Sequence, residues 1–283
     1  MSDLEIRSGP VRLAGEESGE QQGPAVVLLH GLTATRRYVV MGSNVLQRGG
    51  MHVLAYDARG HGLSSPPPGR EYGYEHLAGD LASVIGEAGH GRVILAGASM
   101  GAHTALRFAL EHLEQVGALA LITPSFLPGE AADARELGHW DALARGLREG
   151  GVEGFVRAYD LESVPERWRG TVETVLRQRL AAHEHPQAVA DALEVVPRSH
   201  PFESLSELGE IVLPTVVVAS RDEADPGHPL AVGEAYAQAI PGAELIVEPA
   251  ADPPRSPIAW QGGQLSKVLL ELATRAGLAN GTT

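Results

Sequence analysis

Cysteine is absent from this chain of 283 residues, and its absence removes several kinds of chemistry. Disulfide bonds, thiolate nucleophiles and cysteine-ligated metals are excluded, so covalent catalysis would have to use an oxygen or a nitrogen atom. Long apolar runs are also absent, since none approaches the roughly 18–20 residues that cross a bilayer. The first ten residues, MSDLEIRSGP, lack the basic and apolar regions of a secretory signal. We therefore expect a soluble cytoplasmic protein that does not bind a membrane.

Basic residues are scarce, and Lys267 is the only lysine. The chain has 36 acidic and 22 basic residues, which gives a formal net charge of −14. Such an excess of negative charge repels the phosphates of nucleic acids, so no nucleic-acid partner is expected. Apolar residues make up 43% of the chain, enough for a large hydrophobic core. The composition therefore favours a globular protein that is kept in solution by its surface charge.

Short apolar runs rich in valine, isoleucine and leucine alternate with helical patterns along most of the chain. This alternation is typical of an α/β fold, in which a mostly parallel sheet is covered by helices on both faces. The predicted strands are residues 25–30, 52–57, 92–97, 119–124, 215–220 and 244–249. The predicted helices are residues 74–88, 99 to about 114, 229–240 and 264–276. The first 20 or so residues are predicted to form a hairpin at the edge of the sheet.

One long stretch breaks this alternation. Between Pro124 and about Ile211 the sequence has helical patterns divided by glycine and proline, with no strand run. A connection of this length inside a compact domain must have structure of its own. We therefore predict a helical lid at residues 126–210, inserted into a core domain formed by residues 1–125 and 211–283.

The stretch GASMG, residues 97–101, has the pattern G-x-S-x-G between a predicted strand and a predicted helix. In such a nucleophile elbow the chain turns so sharply that side chains two residues on either side of the serine would collide with their neighbours, which favours glycine. The turn exposes the serine hydroxyl at the N-terminus of a helix, where N–H groups favour negative charge. Ser99 is therefore predicted to be a nucleophile.

A second turn supports this prediction. His30 and Gly31 end the first predicted core strand. In enzymes with a nucleophile elbow, a loop at this place supplies one N–H group to the oxyanion, and the residue after the nucleophile supplies another. The backbone N–H groups of Leu32 and Met100 are therefore the predicted oxyanion hole. The alternative is that His30 and Gly31 only shape the end of a strand.

These stretches together resemble the α/β-hydrolase superfamily, in its lid-containing branch of serine esterases and lactonases, over nearly the whole chain. The matching segments are HGLTATR at 30–36, YDARGHGLSS at 56–65, GASMG at 97–101, and a strand, loop and helix at 215–249. The resemblance implies an α/β-hydrolase fold, with an acidic residue after the strand that follows the lid. That acid is among Asp222, Glu223 and Asp225. The sequence DPGHP favours Asp225, and Asp222 is the main alternative.

The resemblance also implies a histidine in the loop after the last strand. That loop, EPAADPPRSPIAWQGG at 248–263, has none, and no histidine follows His228. Removing one member of a Ser-His-Asp triad leaves only a residual catalysis of roughly 10³–10⁴-fold over water, so either another histidine reaches Ser99 from elsewhere or the chain does something other than ordinary acyl transfer. His228, three residues after Asp225, is the first candidate because its loop should lie beside the empty position. The remaining candidates are His103, His139 and His200.

Two hypotheses about function follow. In the first, the chain is an α/β-hydrolase that acts on a small ester, lactone or related carbonyl compound through Ser99, Asp225 and His228. In the second, it is a catalytically impaired protein of the same fold that binds a small ligand or a partner. No cofactor or metal is expected in either case. His183 and His185 resemble a metal-binding pair, but their spacing on a helix would point the two rings apart.

Overall fold

The computed structural model describes residues 1–89, 91–129, 134–221 and 225–279. Its strands are β1 (Ser2–Ser8), β2 (Val11–Gly19), β3 (Ala25–Leu29), β4 (His52–Tyr56), β5 (Val93–Ala98), β6 (Val116–Ile122), β7 (Thr215–Ala219) and β8 (Glu244–Val247). Within the described residues these eight strands form one sheet, in the order β1-β2-β4-β3-β5-β6-β7-β8. Strands β3 to β8 pair in parallel, whereas β2 pairs antiparallel with both β1 and β4. The sheet is therefore mostly parallel, with an antiparallel hairpin at one edge.

Helices cover both faces of the sheet. They are α1 (Val45–Arg48), α2 (Tyr74–Ala88), α3 (Met100–Glu111), α4 (Ala134–Ala158), α5 (Glu166–Leu180), α6 (Pro186–Val195), α7 (Leu230–Ala239) and α8 (Gly262–Arg275). Helices α2, α3 and α7 pack on one face through Leu81, Phe108 and Tyr236. Helices α1 and α8 pack on the other face through Leu46 and Leu269. None of the helices in the described part of the chain is long and apolar enough to span a bilayer.

The α/β fold predicted from the alternation of apolar runs and helical patterns is confirmed. All six predicted core strands and the edge hairpin are present, with ends that differ by a few residues. The largest shift at a strand start is in β6, which begins at Val116 and not at residue 119. Val116 and Ala118 pair with β5, although Gly117 between them weakens the local strand pattern. Pairing with a neighbouring strand thus extends β6 beyond its local sequence signal.

Helices α4, α5 and α6 lie between β6 and β7 in the chain, as the helical patterns there predict. The backbone of α4 leaves helical geometry at Gly151, with φ 58° and ψ −146°, so that two helical segments meet there. The inserted helices pack against one another through Leu147, Phe155 and Val189. Helix α6 also contacts the core domain, where Ala192 belongs to the same apolar cluster as Met100. The insertion therefore covers the sheet beside GASMG, and the lid limits of 126–210 stay a prediction.

Candidate active site

Ser99 lies in a sharp turn between β5 and α3. Its backbone has φ 51° and ψ −114°, a conformation that residues other than glycine rarely adopt. The Ser99 N–H donates to the carbonyl oxygen of Ile122 in β6 at 2.9 Å, and the Ser99 carbonyl accepts from the N–H of Ala102 at 2.8 Å. The strained conformation is therefore fixed by the neighbouring strand and by the first turn of α3.

The two glycines of GASMG are required by close backbone contacts. A Cβ atom added to Gly97 would lie 2.2 Å from the carbonyl oxygen of Gly101. A Cβ atom added to Gly101 would lie 2.2 Å from the carbonyl oxygen of Leu29 in β3. Neither distance is compatible with a side chain, so larger residues would force the elbow away from the sheet. The close packing expected of a nucleophile elbow is present.

A tight turn after β7 carries an acid and a histidine. Asp225, Pro226, Gly227 and His228 form this turn, which is closed by a hydrogen bond from the N–H of His228 to the carbonyl of Asp225 at 3.1 Å. Proline at the second position and glycine at the third are residues that such turns favour. The turn brings the two side chains together, so that Nδ1 of His228 lies 3.0 and 3.1 Å from the two carboxylate oxygens of Asp225.

The other ring nitrogen of His228 faces the serine. Nε2 of His228 lies 3.0 Å from Oγ of Ser99, although 129 positions separate the two residues in the chain. When Nδ1–H donates to the Asp225 carboxylate, Nε2 carries the lone pair and accepts from the Ser99 hydroxyl. Only 27% of the His228 side chain and 16% of the Asp225 side chain are exposed. The three residues form one continuous, largely buried hydrogen-bonded chain.

The surroundings of His228 raise the pKa of its side chain. Burial lowers the pKa of His228, but the charge of Asp225 and the hydrogen bond that His228 donates to Asp225 raise it, and the net pKa lies above the ordinary value of 6.5. The positive charge of Arg179 opposes this with a smaller lowering of the pKa. A carboxylate beside a histidine stabilises the imidazolium that forms when the ring accepts a proton. His228 thus has the environment of a general base.

The histidine closest in sequence to Ser99 has a different environment. His103 Nδ1 is hydrogen-bonded to the Tyr74 hydroxyl at 3.0 Å, and its Nε2 accepts from the N–H groups of Ser125 and Phe126 at 3.2 and 3.3 Å. Burial lowers the pKa of His103 to about 3. Both ring nitrogens are used to join α3 to α2 and to the loop after β6. His103 is therefore a structural residue.

The other candidate histidines also lie in apolar or structural contacts. The ring of His139 lies against Trp140 and Tyr159, and the ring of His200 lies against Phe126. His183 accepts from the N–H of Gly62 through Nδ1 at 2.8 Å and lies 3.0 Å from the carbonyl of Thr33 through Nε2, so it joins the inserted helices to two core loops. No group of three or more metal-ligating side chains occurs among the residues that the structure describes.

The turn after β3 lies against the serine. A Cβ atom added to Gly31 would come within 3.4 Å of Cβ of Ser99. The His30 ring shapes this turn, because its Nδ1 contacts the carbonyl of Gly31 at 2.8 Å and its Nε2 accepts from the N–H of Ala58 at 2.9 Å. The turn after β3 therefore lies directly beside Ser99. The assignment of the N–H groups of Leu32 and Met100 to the oxyanion stays a prediction.

The loop after β8, which contains no histidine, contacts the segment that follows β7. Glu248 is 3% exposed, and its carboxylate accepts from the N–H of Arg221 at 2.6 Å, while Nε of Arg221 donates to the carbonyl of Glu248 at 3.1 Å. These bonds hold the end of β7, and with it the start of the loop that carries Asp225. The alternative acids Asp222 and Glu223 lie outside the described residues.

The arrangement of sheet, elbow and inserted helices agrees with comparisons of sequence. The sequence pattern of proteins with the alpha/beta hydrolase fold matches residues 24–253. The chain belongs to the α/β-hydrolase fold family. It is 31% identical over 231 residues to a 2-hydroxy-6-oxononadienedioate/2-hydroxy-6-oxononatrienedioate hydrolase of Cupriavidus pinatubonensis, and the match covers 78% of each chain. The resemblance expected from the sequence is thus confirmed.

Solved structures of other α/β-hydrolases superpose over almost the whole chain. A thermophilic esterase from Thermogutta terrifontis has a TM-score of 0.79 and 25% identity, and the match covers 98% of this chain and 99% of that chain. The enol-lactonase from Burkholderia xenovorans LB400 has a TM-score of 0.77 and 23% identity, with 96% and 100% covered. The likeness to the enol-lactonase shows the fold.

Sequence reasoning missed one residue near this site. Arg179, in the last turn of α5, donates through Nη2 to the carbonyl of Leu32 and to Oγ1 of Thr33, both at 2.9 Å. Its local sequence, RQRL, resembles the charged outer side of an amphipathic helix, and Arg177 two residues earlier does form ion pairs on that side. Nothing in the local pattern distinguishes the two arginines.

Proposed function

We propose that this α/β-hydrolase is a serine hydrolase that acts on small esters, lactones or related carbonyl compounds. The observation that carries the proposal is the hydrogen-bonded chain from Ser99 through His228 to Asp225, with 3.0 Å from Oγ to Nε2 and 3.0 Å from Nδ1 to the carboxylate. Nucleophile, base and orienting acid in this geometry are what acyl transfer by a serine requires. The names of an oxo-acid hydrolase and an esterase among its relatives support the same class of reaction.

In the proposed mechanism, Oγ of Ser99 attacks the carbonyl carbon of the substrate while Nε2 of His228 takes the hydroxyl proton. Asp225 holds the ring with Nε2 toward Ser99 and stabilises the imidazolium. The carbonyl oxygen becomes an oxyanion, which the N–H groups of Leu32 and Met100 stabilise, each donor lowering the barrier by about 3 kcal/mol.

The tetrahedral intermediate then collapses. The bond from the carbonyl carbon to the leaving oxygen breaks, and His228 returns its proton to that oxygen. Water attacks the acyl-serine in a second round, again with His228 as base, and the acid product leaves with Ser99 restored. Both half-reactions use the same three side chains, and neither requires a metal or an organic cofactor.

The nucleophile can be tested directly with a fluorophosphonate, which forms a bond to an activated serine. We expect rapid addition of one probe molecule to the wild-type protein, measured by intact mass. Ser99→Ala should abolish the addition. Ser125→Ala, which changes an exposed serine on the loop after β6, is the matched control and should label at the wild-type rate. If well-folded wild-type protein does not label, a ligand-binding protein of this fold becomes the better hypothesis.

A further inference from the structure

Arg179 places a positive charge from the inserted helices at the turn after β3. Its Nη2 bonds to the Leu32 carbonyl and the Thr33 hydroxyl, which are both uncharged acceptors. The guanidinium carbon lies 5.8 Å from the centre of the Tyr38 ring. These contacts position the group, but neither acceptor carries a negative charge.

Arg148 and Arg177, two other arginines of the inserted helices, give a comparison for Arg179. Arg148 pairs with Asp191 and Glu194, and Arg177 pairs with Glu153 and Glu173. Among the residues that the structure describes, Arg179 has no carboxylate partner. Burial lowers the pKa of Arg179, yet a guanidinium stays protonated in proteins. A largely buried cation with no carboxylate bonded to it is costly.

Two of the three nitrogen atoms of the Arg179 guanidinium make no hydrogen bond to the described residues. Nε is buried and has no hydrogen-bond partner. Nη1 also has no partner among the described residues, but it is not enclosed by the protein. An incoming group can therefore reach Nη1 while Nη2 keeps its bonds to Leu32 and Thr33. A carboxylate is the acceptor that best matches a guanidinium.

The charge lies close enough to the proposed catalytic residues to act on them. Arg179 lowers the pKa of His228, and the charge of Asp225 in turn stabilises the protonated Arg179. Tyr159, at the end of α4, lies within the same group of charges, since the pKa of its hydroxyl responds to both Asp225 and Arg179. Arg179 also bonds to Leu32, the residue after Gly31, and a Cβ atom added to Gly31 would lie 3.4 Å from Cβ of Ser99, so the guanidinium and Ser99 both lie beside the turn after β3.

Resting on the proposed function, we infer that Arg179 binds a carboxylate of the substrate, so that the preferred substrates are small carboxylate-bearing esters or lactones. The position of Arg179 also limits the distance between the substrate carboxylate and the scissile carbonyl. Arg179 bonds to the carbonyl of Leu32, and the N–H of that same residue is the proposed oxyanion donor. The substrate carboxylate must therefore lie only a few bonds from the scissile carbonyl.

The contact with Leu32 could instead serve only to hold the inserted helices on the core domain. A substrate pair of equal shape and different charge separates the two roles. Monoethyl succinate carries a carboxylate where ethyl levulinate carries an uncharged acetyl group of nearly the same size. A purely structural residue would affect both esters equally, whereas a residue that also binds the carboxylate would affect the first ester more than the second.

The measurement is kcat/KM for each ester by pH-stat titration at low ionic strength, in the wild type, Arg179→Gln and Arg179→Lys. We expect the wild type to prefer monoethyl succinate by roughly 10–100-fold, the usual effect of a hydrogen bond to a charged group. Arg179→Gln should remove most of this preference, whereas the loss of the contacts with Leu32 and Thr33 should lower kcat/KM for both esters alike, and Arg179→Lys should restore part of the preference. Arg177→Gln, two residues away on α5, is the control and should keep the wild-type preference.

Three results would overturn the inference: no preference in the wild type, an equal loss for both esters in Arg179→Gln, or hydrolysis of neither ester by protein that still labels at Ser99. These outcomes leave the serine mechanism intact. Failure of fluorophosphonate labelling would instead remove the proposed function itself, so the two failures are distinguishable.

Discussion

The loops after β7 and β8 leave the same edge of the sheet but carry different parts of the site. The β7 loop holds Asp225 and His228 in one tight turn, with His228 Nε2 3.0 Å from the Ser99 hydroxyl. The β8 loop, where the family resemblance implies the histidine, has none, and its buried Glu248 binds the backbone of Arg221. The β7 loop thus contains both the proposed acid and the proposed base, and the β8 loop holds the end of β7 in place.

This difference teaches that a triad is defined by geometry and not by the position of its members in the chain. Parallel strands bring their carboxyl ends to one edge, so adjacent loops can reach the same point above the nucleophile. In the proposed triad His228, three residues after Asp225, takes the place of a histidine from the next loop, because the turn through Pro226 and Gly227 directs the side chains of Asp225 and His228 toward each other.

The largest expected effect comes from removing the base. His228→Ala should lower kcat toward a p-nitrophenyl ester by roughly 10³–10⁶-fold, because the triad residues act as a unit. Asp252→Ala, in the β8 loop, is the control and should change kcat by less than about threefold. Equal losses in both variants would contradict the division of roles between the loops.

Replacing the acid should have the next largest effect. Asp225→Asn removes the charge that raises the pKa of His228 and disturbs the ring orientation, so kcat should fall by roughly 10²–10⁴-fold. The wild-type kcat/KM should rise with pH through a midpoint above 6.5, because the base must be neutral to accept a proton. In Asp225→Asn this midpoint should move to lower pH. An unchanged midpoint would show that Asp225 does not set the pKa of His228.

His30 and His103, two buried histidines outside these loops, should make stability depend on pH in the opposite direction to His228. Burial lowers the pKa of His30 and His103 to about 3, so the unfolded chain binds their protons first and stability falls as the pH drops below 6.5. Each should cost about 2 kcal/mol between pH 8 and pH 5. The raised pKa of His228 instead contributes stability below pH 6.5 that is lost as the pH rises through its folded pKa.

Urea denaturation at pH 8 and at pH 5 measures the stability that is lost through His30 and His103. His103→Gln retains hydrogen-bonding groups but cannot take up the proton, so its loss between pH 8 and pH 5 should be smaller than that of the wild type by about 2 kcal/mol. A loss identical to that of the wild type would contradict the assignment of His103 as a neutral structural residue.

The smallest effect is expected from removing the contact between Glu248 and the backbone of Arg221. Glu248→Ala removes the acceptor for the Arg221 N–H and should lower the free energy of unfolding by about 1–3 kcal/mol. Because Glu248 touches no reacting group, kcat should fall by less than about tenfold. A loss of activity as large as that of His228→Ala, in a folded variant, would show that the β8 loop takes part in the chemistry.

Local sequence was sufficient for much of the fold and for half of the site. The apolar runs that alternate with helical patterns predict the core strands. Gly97 and Gly101 identify the elbow, because a Cβ atom at either position would lie 2.2 Å from a backbone carbonyl oxygen. The start of β6 was misplaced, because its pairing with β5 is not visible in its own residues. Arg179 was missed for a similar reason, since an arginine that bonds to the core domain and one that pairs with carboxylates of the inserted helices have the same local pattern.

The sequence by itself determined the α/β alternation, the elbow around Ser99 and the turn that joins Asp225 to His228, because each depends on residues within a few positions of one another. Only the tertiary structure decided which histidine meets Ser99 and which arginine faces the site. Those choices depend on distances between residues more than a hundred positions apart, which the packing of the sheet, the inserted helices and the β7 loop brings to about 3 Å.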